Sequence, residues 1–132
     1  MTALRSDGRV VFEYALLRVV PRLERGECVN VGVLVYCQPA DLLVAAVHVD
    51  EARLRALAAD LDVEAVTRSL DGVHRVCAGG DLAGPAASSS LGQRFRWLTS
   101  PRSTIVQTGP AHAGLTRDPA AEPGRLLERL VR

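Results

Sequence analysis

Positions 28 to 37, CVNVGVLVYC, alternate with a period of two. Val29, Val31, Val33, Val35 and Cys37 are all apolar, while Cys28, Asn30, Gly32, Leu34 and Tyr36 are mixed. Side chains alternate across a strand, so this spacing predicts a β-strand with one wholly apolar face. Val10 to Val20 is a second long, β-rich apolar run, ended by Pro21. The link between the two runs contains Gly26, which tolerates positive φ, and predicts a β-hairpin. Gln38 to Asp41 reads as another turn, and Leu42 to Val49 as a third strand, apolar on both faces and therefore inside a layered structure.

The period then changes. Leu54, Leu57, Ala58 and Leu61 recur at helical spacing behind Asp50, an N-cap residue type. Asp62 caps a second predicted helix, striped by Val63, Val66, Leu70, Val73 and Cys77 and stopped by Gly79 and Gly80. Residues 79–93 are small and polar and predict a flexible loop. Beyond it, Arg94 and Arg96 alternate with Phe95 and Trp97, Ser103 to Thr108 predicts a strand, and Pro110 to Thr116 a loop. Asp118 and Pro119 form a helix-start pair ahead of a stripe of Leu126, Leu127, Leu130 and Val131. Strands followed by segregated helices predict an α+β fold: a mostly antiparallel sheet of four to five strands, with three helices packed on one face. Residues 1–8 are expected to be a flexible tail, and 9–132 a single domain.

Composition narrows the chemistry. All 16 basic residues are arginine, which removes Schiff-base lysine chemistry and the phosphate-binding lysine of a P-loop. A net charge of +1 provides no global field for nucleic acid or anionic membrane, and any such binding needs a local patch. The most apolar region, Cys28 to Val49, is broken by Asn30, Pro39 and Asp41 and is no membrane span. Cys28, Cys37 and Cys77 lack CxxC spacing, so they are expected as buried thiols in a reducing cytoplasm. No HxxxH motif or acidic cluster predicts a metal, and no cofactor fingerprint is present.

Two segments, YALLRVVPRLERGECVNVGVLVYC and FRWLTSPRSTIVQTGPAHAGLTRDP, resemble the paired signatures of the small bacterial family called domain of unknown function 3037. The resemblance runs from about Phe12 to Arg132 and is weakest between Leu42 and Gln93. It implies no established activity. Family members are often encoded beside HipA-type kinase homologues, so the resemblance implies a protein partner of that kind. Pro123 and Gly124 depart from the continuous terminal helix expected of the family and move its start toward Pro123.

The first candidate site lies in the hairpin. Pairing Val20 with Cys28 sets Arg18 opposite Asn30, on the face of Tyr14 and Tyr36, with Arg22 at the turn. A guanidinium fork beside an amide can hold a carboxylate or phosphate. The competing reading pairs Arg18 with an acid at the core edge and leaves Arg22, Glu24, Arg25 and Glu27 as a solvated turn. The second candidate gathers Arg102, Ser103, Thr104, Gln107, Thr108 and His112 near Gly109 and Gly114, a donor-rich loop that can also hold an anion. No acid is placed to orient His112 toward Ser103 or Thr104, and there is no GxSxG.

RFRW interleaves arginine with aromatic residues, as single-strand nucleic-acid binders do. With only two Phe, two Tyr and one Trp in the chain, the expectation is that Phe95 and Trp97 are buried while Arg94 and Arg96 face water. Two functions follow. One is a non-enzymatic accessory domain acting through protein contacts, with a HipA-type kinase as the partner implied. The other is a phosphate- or nucleotide-directed enzyme or sensor built on the arginine, serine, threonine and histidine cluster.

Overall fold

A computed structural model describes residues 7–80, 89–102 and 104–132. The expected tail therefore falls mostly outside the described residues, as do Ser103 and the centre of the 79–93 segment. The α+β class is borne out. Strands β1 (Val10–Val19), β2 (Val29–Cys37), β3 (Leu42–Val47), β4 (Val106–Thr108) and β5 (His112–Thr116) form one antiparallel sheet. Its order is β3-β2-β1-β4, and β5 pairs with the first half of β1. Among the described residues there are four α-helices rather than the three expected: α1 (Glu51–Leu57), α2 (Val63–Ala78), α3 (Leu91–Leu98) and α4 (Glu122–Leu130). None is long and apolar enough to cross a membrane.

The sheet is buried on both faces. Against one face, Leu54, Leu61, Val66, Leu70, Phe95 and Leu98, from α1 to α3 and their links, pack on Leu17, Val19, Val31, Leu34, Leu43 and Ala45. Against the other, Leu126 of α4 packs on Phe12, Val33, Val35 and Cys37. Helices on one face thus describes α1 to α3, while α4 covers the opposite side.

The wholly apolar odd face read in β2 does not exist as one face. Leu17 pairs with Gly32, but Arg18 pairs with Asn30, so Val31 is an extra residue, a β-bulge. Val29 and Val31 pack in the α1–α3 core, whereas Val33, Val35 and Cys37 pack under α4. A bulge inverts the alternation, and because both faces are apolar the sequence pattern survives the inversion unchanged. The same shift separates the two tyrosines. Tyr36 stacks on Phe95 in the α3 layer, while Tyr14 belongs to the α4 face with Arg18.

Helix starts follow local chemistry. The carboxylates of Asp50 and Asp62 accept from the backbone N–H groups of Arg53 and Ala65, each at 3.1 Å. RFRWL is the body of α3, whose first residues, Leu91 to Gln93, fall within the segment predicted as a flexible loop. Ser90 and Gln93 close a reciprocal capping box, and Leu91, Arg94, Phe95 and Leu98 turn inward. The terminal helix begins with a short 3-10 turn at Pro119–Ala121 and becomes α-helical at Glu122. Asp118 makes no side-chain cap; instead buried Glu122 accepts from Thr116 Oγ1 at 2.8 Å and from Arg125 Nε at 2.9 Å. The predicted loop Pro110 to Thr116 becomes β5 from His112 onward, because β1 is longer than β4 and its first half would otherwise have an open edge.

Helix ends are closed by arginine. Arg94 donates to the carbonyls of Val76 and Cys77 at 2.7 and 2.9 Å, Arg102 to that of Trp97 at 2.7 Å, and Arg53 to that of Val131 at 2.7 Å. Arg55 reaches the carbonyls of Ala59 and Leu61 just past α1. The pairings of Arg94, Arg102 and Arg53 satisfy carbonyls that a helix leaves open and place a cation at the negative end of its dipole, while that of Arg55 holds the link after α1.

Gly32 tests the bulge. A Cβ there would lie 2.7 Å from the carbonyl oxygen of Ala46 and 3.0 and 3.1 Å from side-chain atoms of Val47 and Leu17. Gly32→Ala is expected to destabilise the protein by about 1–3 kcal/mol, because the obstruction includes backbone that cannot turn aside. Urea denaturation of the two proteins measures this, and equal midpoints would contradict the close approach.

Candidate functional site

The two sequence signatures meet in the sheet. The second half of β1 pairs on one side with the start of β2 and on the other with β4. Arg18 therefore has Asn30 and Gln107 as direct neighbours across the strands. Directly paired residues project to the same face, so these three form a polar row on the α4 side of the sheet. Asn30 Nδ2 donates to the carbonyl of Leu130 at 3.1 Å, which ties the row to the end of α4. Gln107 Nε2 donates to the carbonyl of Thr104 at 3.0 Å.

Arg18 is half-buried, and its Nε is enclosed without a hydrogen-bond partner. The acid at the core edge, offered as its structural partner, is not found among the described residues. The guanidinium instead lies flat against Gly109, where a Cβ would come within 2.9 Å of its Cζ. Only glycine permits that approach. The N–H of Gly109 donates to the carbonyl of Leu16 at 2.8 Å, which fixes the β4–β5 link beside β1.

The other predicted residues do not converge on Arg18. Arg102 stacks over the Trp97 ring, with its Cζ 4.1 Å from the ring centroid, and so belongs to the end of α3 on the opposite face. Thr104 Oγ1 donates to the carbonyl of Val106 at 2.7 Å, a local turn contact. His112 packs its ring on Tyr14, with centroids 5.3 Å apart, at an exposed position. Ser103 lies outside the described residues. Among the described residues the cluster is thus dispersed: the hydroxyls of Thr104 and Thr108 and the guanidinium of Arg102 donate to backbone carbonyls of turns and of the end of α3.

Arg22 sits at the exposed hairpin turn, where Arg25 and Glu27 pair at 2.6 Å. Two adjoining clefts of about 440 and 430 Å³ separate this turn from α1 and the link to α2, and Arg22 lines both. A cleft of about 620 Å³ between α1 and α2 is lined by charges that face one another as ion pairs, Arg55 with Glu51 and Arg68 with Asp62 and Glu64. Exposed pairs of this kind contribute little energy, and the three carboxylates outnumber the two guanidinia by one.

Sequence reasoning missed the most exposed aromatic residue. Trp97, expected inside, is 50% exposed, and Arg94, expected in water, is buried against the end of α2. Period two was read where period 3.6 applied. The capping box of Ser90 and Gln93, followed by Phe95 and Leu98, was the legible signal.

The cysteines also differ from expectation. Cys37 is buried and Cys77 half-buried, but Cys28 is exposed at the hairpin. Burial pushes the Cys77 thiol up to about 11. A thiol with a raised pKa stays neutral at neutral pH, and the neutral thiol is a poor nucleophile. A thiol-reactive dye at neutral pH is expected to modify Cys28 quickly and to reach Cys37 and Cys77 only after denaturation. Rapid labelling of Cys77 in the folded protein, read by peptide mass, would contradict its burial.

Among protein families, the model described as Protein of unknown function (DUF3037) matches residues 14–131. No curated protein and no solved structure matches the chain.

Proposed function

The chain belongs to the family described as Protein of unknown function (DUF3037), and from that premise we propose that it is an accessory domain that docks a protein partner, a HipA-type kinase, rather than an enzyme. The observation that carries this reading is Trp97. Its ring stands half-exposed, yet it is held by the Arg102 guanidinium stacked on it and by the bond from Arg102 Nη2 to its own carbonyl. A large aromatic surface fixed before binding loses little conformational entropy on docking, and Trp and Arg are the residue types that dominate interface energetics.

The surroundings support the same surface. Arg96, next to Trp97 on α3, pairs with Glu13 of β1 at 3.0 Å. Beyond Glu13, Val11 and Leu115 pair across β1 and β5 and are 40% and 39% exposed. Val11, Glu13 and Arg96 line one groove with Tyr36, Gln38 and Pro39. Exposed apolar side chains beside charged pairs have the composition of a docking surface, with an apolar centre and a polar rim. The partner's identity rests on the family resemblance, and the surface on the side chains.

Mixing the protein with the purified kinase tests both. A complex at micromolar concentration is expected, with a change in the emission of Trp97 judged against Trp97→Phe. Trp97→Ala should weaken the complex at least tenfold, about 1.4 kcal/mol. Two proteins that elute independently at micromolar concentration would overturn the proposed partner. An unchanged affinity of Trp97→Ala would overturn the surface.

A further inference from the structure

We infer that Arg18 anchors a second binding site, for a small oxyanion such as phosphate or a carboxylate, on the α4 side of the sheet. This goes beyond the docking reading and stands apart from it, since Trp97 and Arg102 lie on the other side.

The inference begins with burial: Arg22, Arg75, Arg117 and Arg129 are exposed and are served by water, whereas Arg18 is half-buried. Arg53, Arg55, Arg94 and Arg102 each donate to backbone carbonyls, and Arg9, Arg25, Arg96 and Arg125 each pair with a carboxylate. Arg18 does neither among the described residues, although it is half-buried and its Nε is enclosed. Guanidinium does not deprotonate in proteins, so this charge is partly desolvated and unpaired. Such a group is costly unless something supplies the missing acceptor.

The neighbours do not supply it in this structure. Across the strands Arg18 faces two neutral amides, Asn30 and Gln107, whose N–H groups point to the carbonyls of Leu130 and Thr104, and among the described residues it donates to neither amide oxygen. Neither is an anion. The two terminal nitrogens lie over Gly109, 3.0 and 3.1 Å from where a side chain would begin. A planar fork laid on glycine, with an unfilled need for acceptor oxygens, suits a group that offers two oxygens to it. The absence of a patterned glycine loop around it limits the ligand to the oxyanion itself rather than a nucleotide's full phosphate chain.

NMR titration of the labelled protein tests the site, with inorganic phosphate and acetate as separate probes and chloride at matched ionic strength as the control. Saturable shifts are expected at the amides of Arg18, Asn30, Gln107 and Gly109 with one or both oxyanions and not with chloride. Phosphate alone would identify a tetrahedral anion, and acetate alone a carboxylate. Arg18→Gln should weaken binding at least tenfold, and so should Gly109→Ala, which keeps the charge but displaces the fork. Shifts that fall elsewhere, equal shifts with chloride, or no shifts at millimolar probe would overturn the inference. So would a folded Arg18→Gln variant that binds as the wild type does. Should either variant fail to fold, the location of the wild-type shifts decides.

Discussion

One unpaired residue organises this protein. Strand β2 is enclosed on both faces, and the bulge at Val31 decides which of its side chains enter which core. Before the bulge, Val29 goes to the α1–α3 side and Asn30 to the α4 side; after it, Leu34 and Tyr36 take the α1–α3 side, and Val33, Val35 and Cys37 the α4 side. Without the extra residue Asn30 would stay in phase with Leu34 and Tyr36, and its amide would be turned away from the end of α4. Burying an amide without a partner costs more than burying a methyl group, so the register and the polar row are linked.

The second organising feature is arginine in place of lysine. A guanidinium can donate to two carbonyls at once, as Arg94 does at the end of α2, and can stack on a ring, as Arg102 does on Trp97. Arg94, Arg102 and Arg53 close the ends of α2, α3 and α4 in this way. These bonds also join elements: Arg94 fastens α3 to α2, and Arg53 fastens α1 to the end of α4. Against that background the free fork of Arg18 stands out as chemistry left over after the structure has been satisfied.

Several elements were legible in local sequence because their causes are local. The hairpin strands, the Asp50 and Asp62 caps and the Gly79 stop depend on residues a few positions apart. The cross-strand meeting of Arg18 and Asn30 was also legible, since the turn sets it. The helix at Leu91–Leu98 was not predicted, because its first residues read as loop and four residues of alternating arginine and aromatic fit a strand as well as one helical turn. Strand β5 was missed because its residues, HAGLT, carry little strand preference; pairing with β1 makes the strand.

The sequence by itself determined the α+β class, the hairpin, the capped helices and the exclusion of lysine chemistry, because each follows from period, residue type or short-range hydrogen bonding. Tertiary structure alone decided the rest. It split one apolar pattern between two cores, put α4 on the far side of the sheet, and sent Arg18 and Arg102 to opposite faces. The physical reason is that periodicity records whether a side chain is buried, while the choice between two apolar layers depends on register and on neighbours distant in the chain.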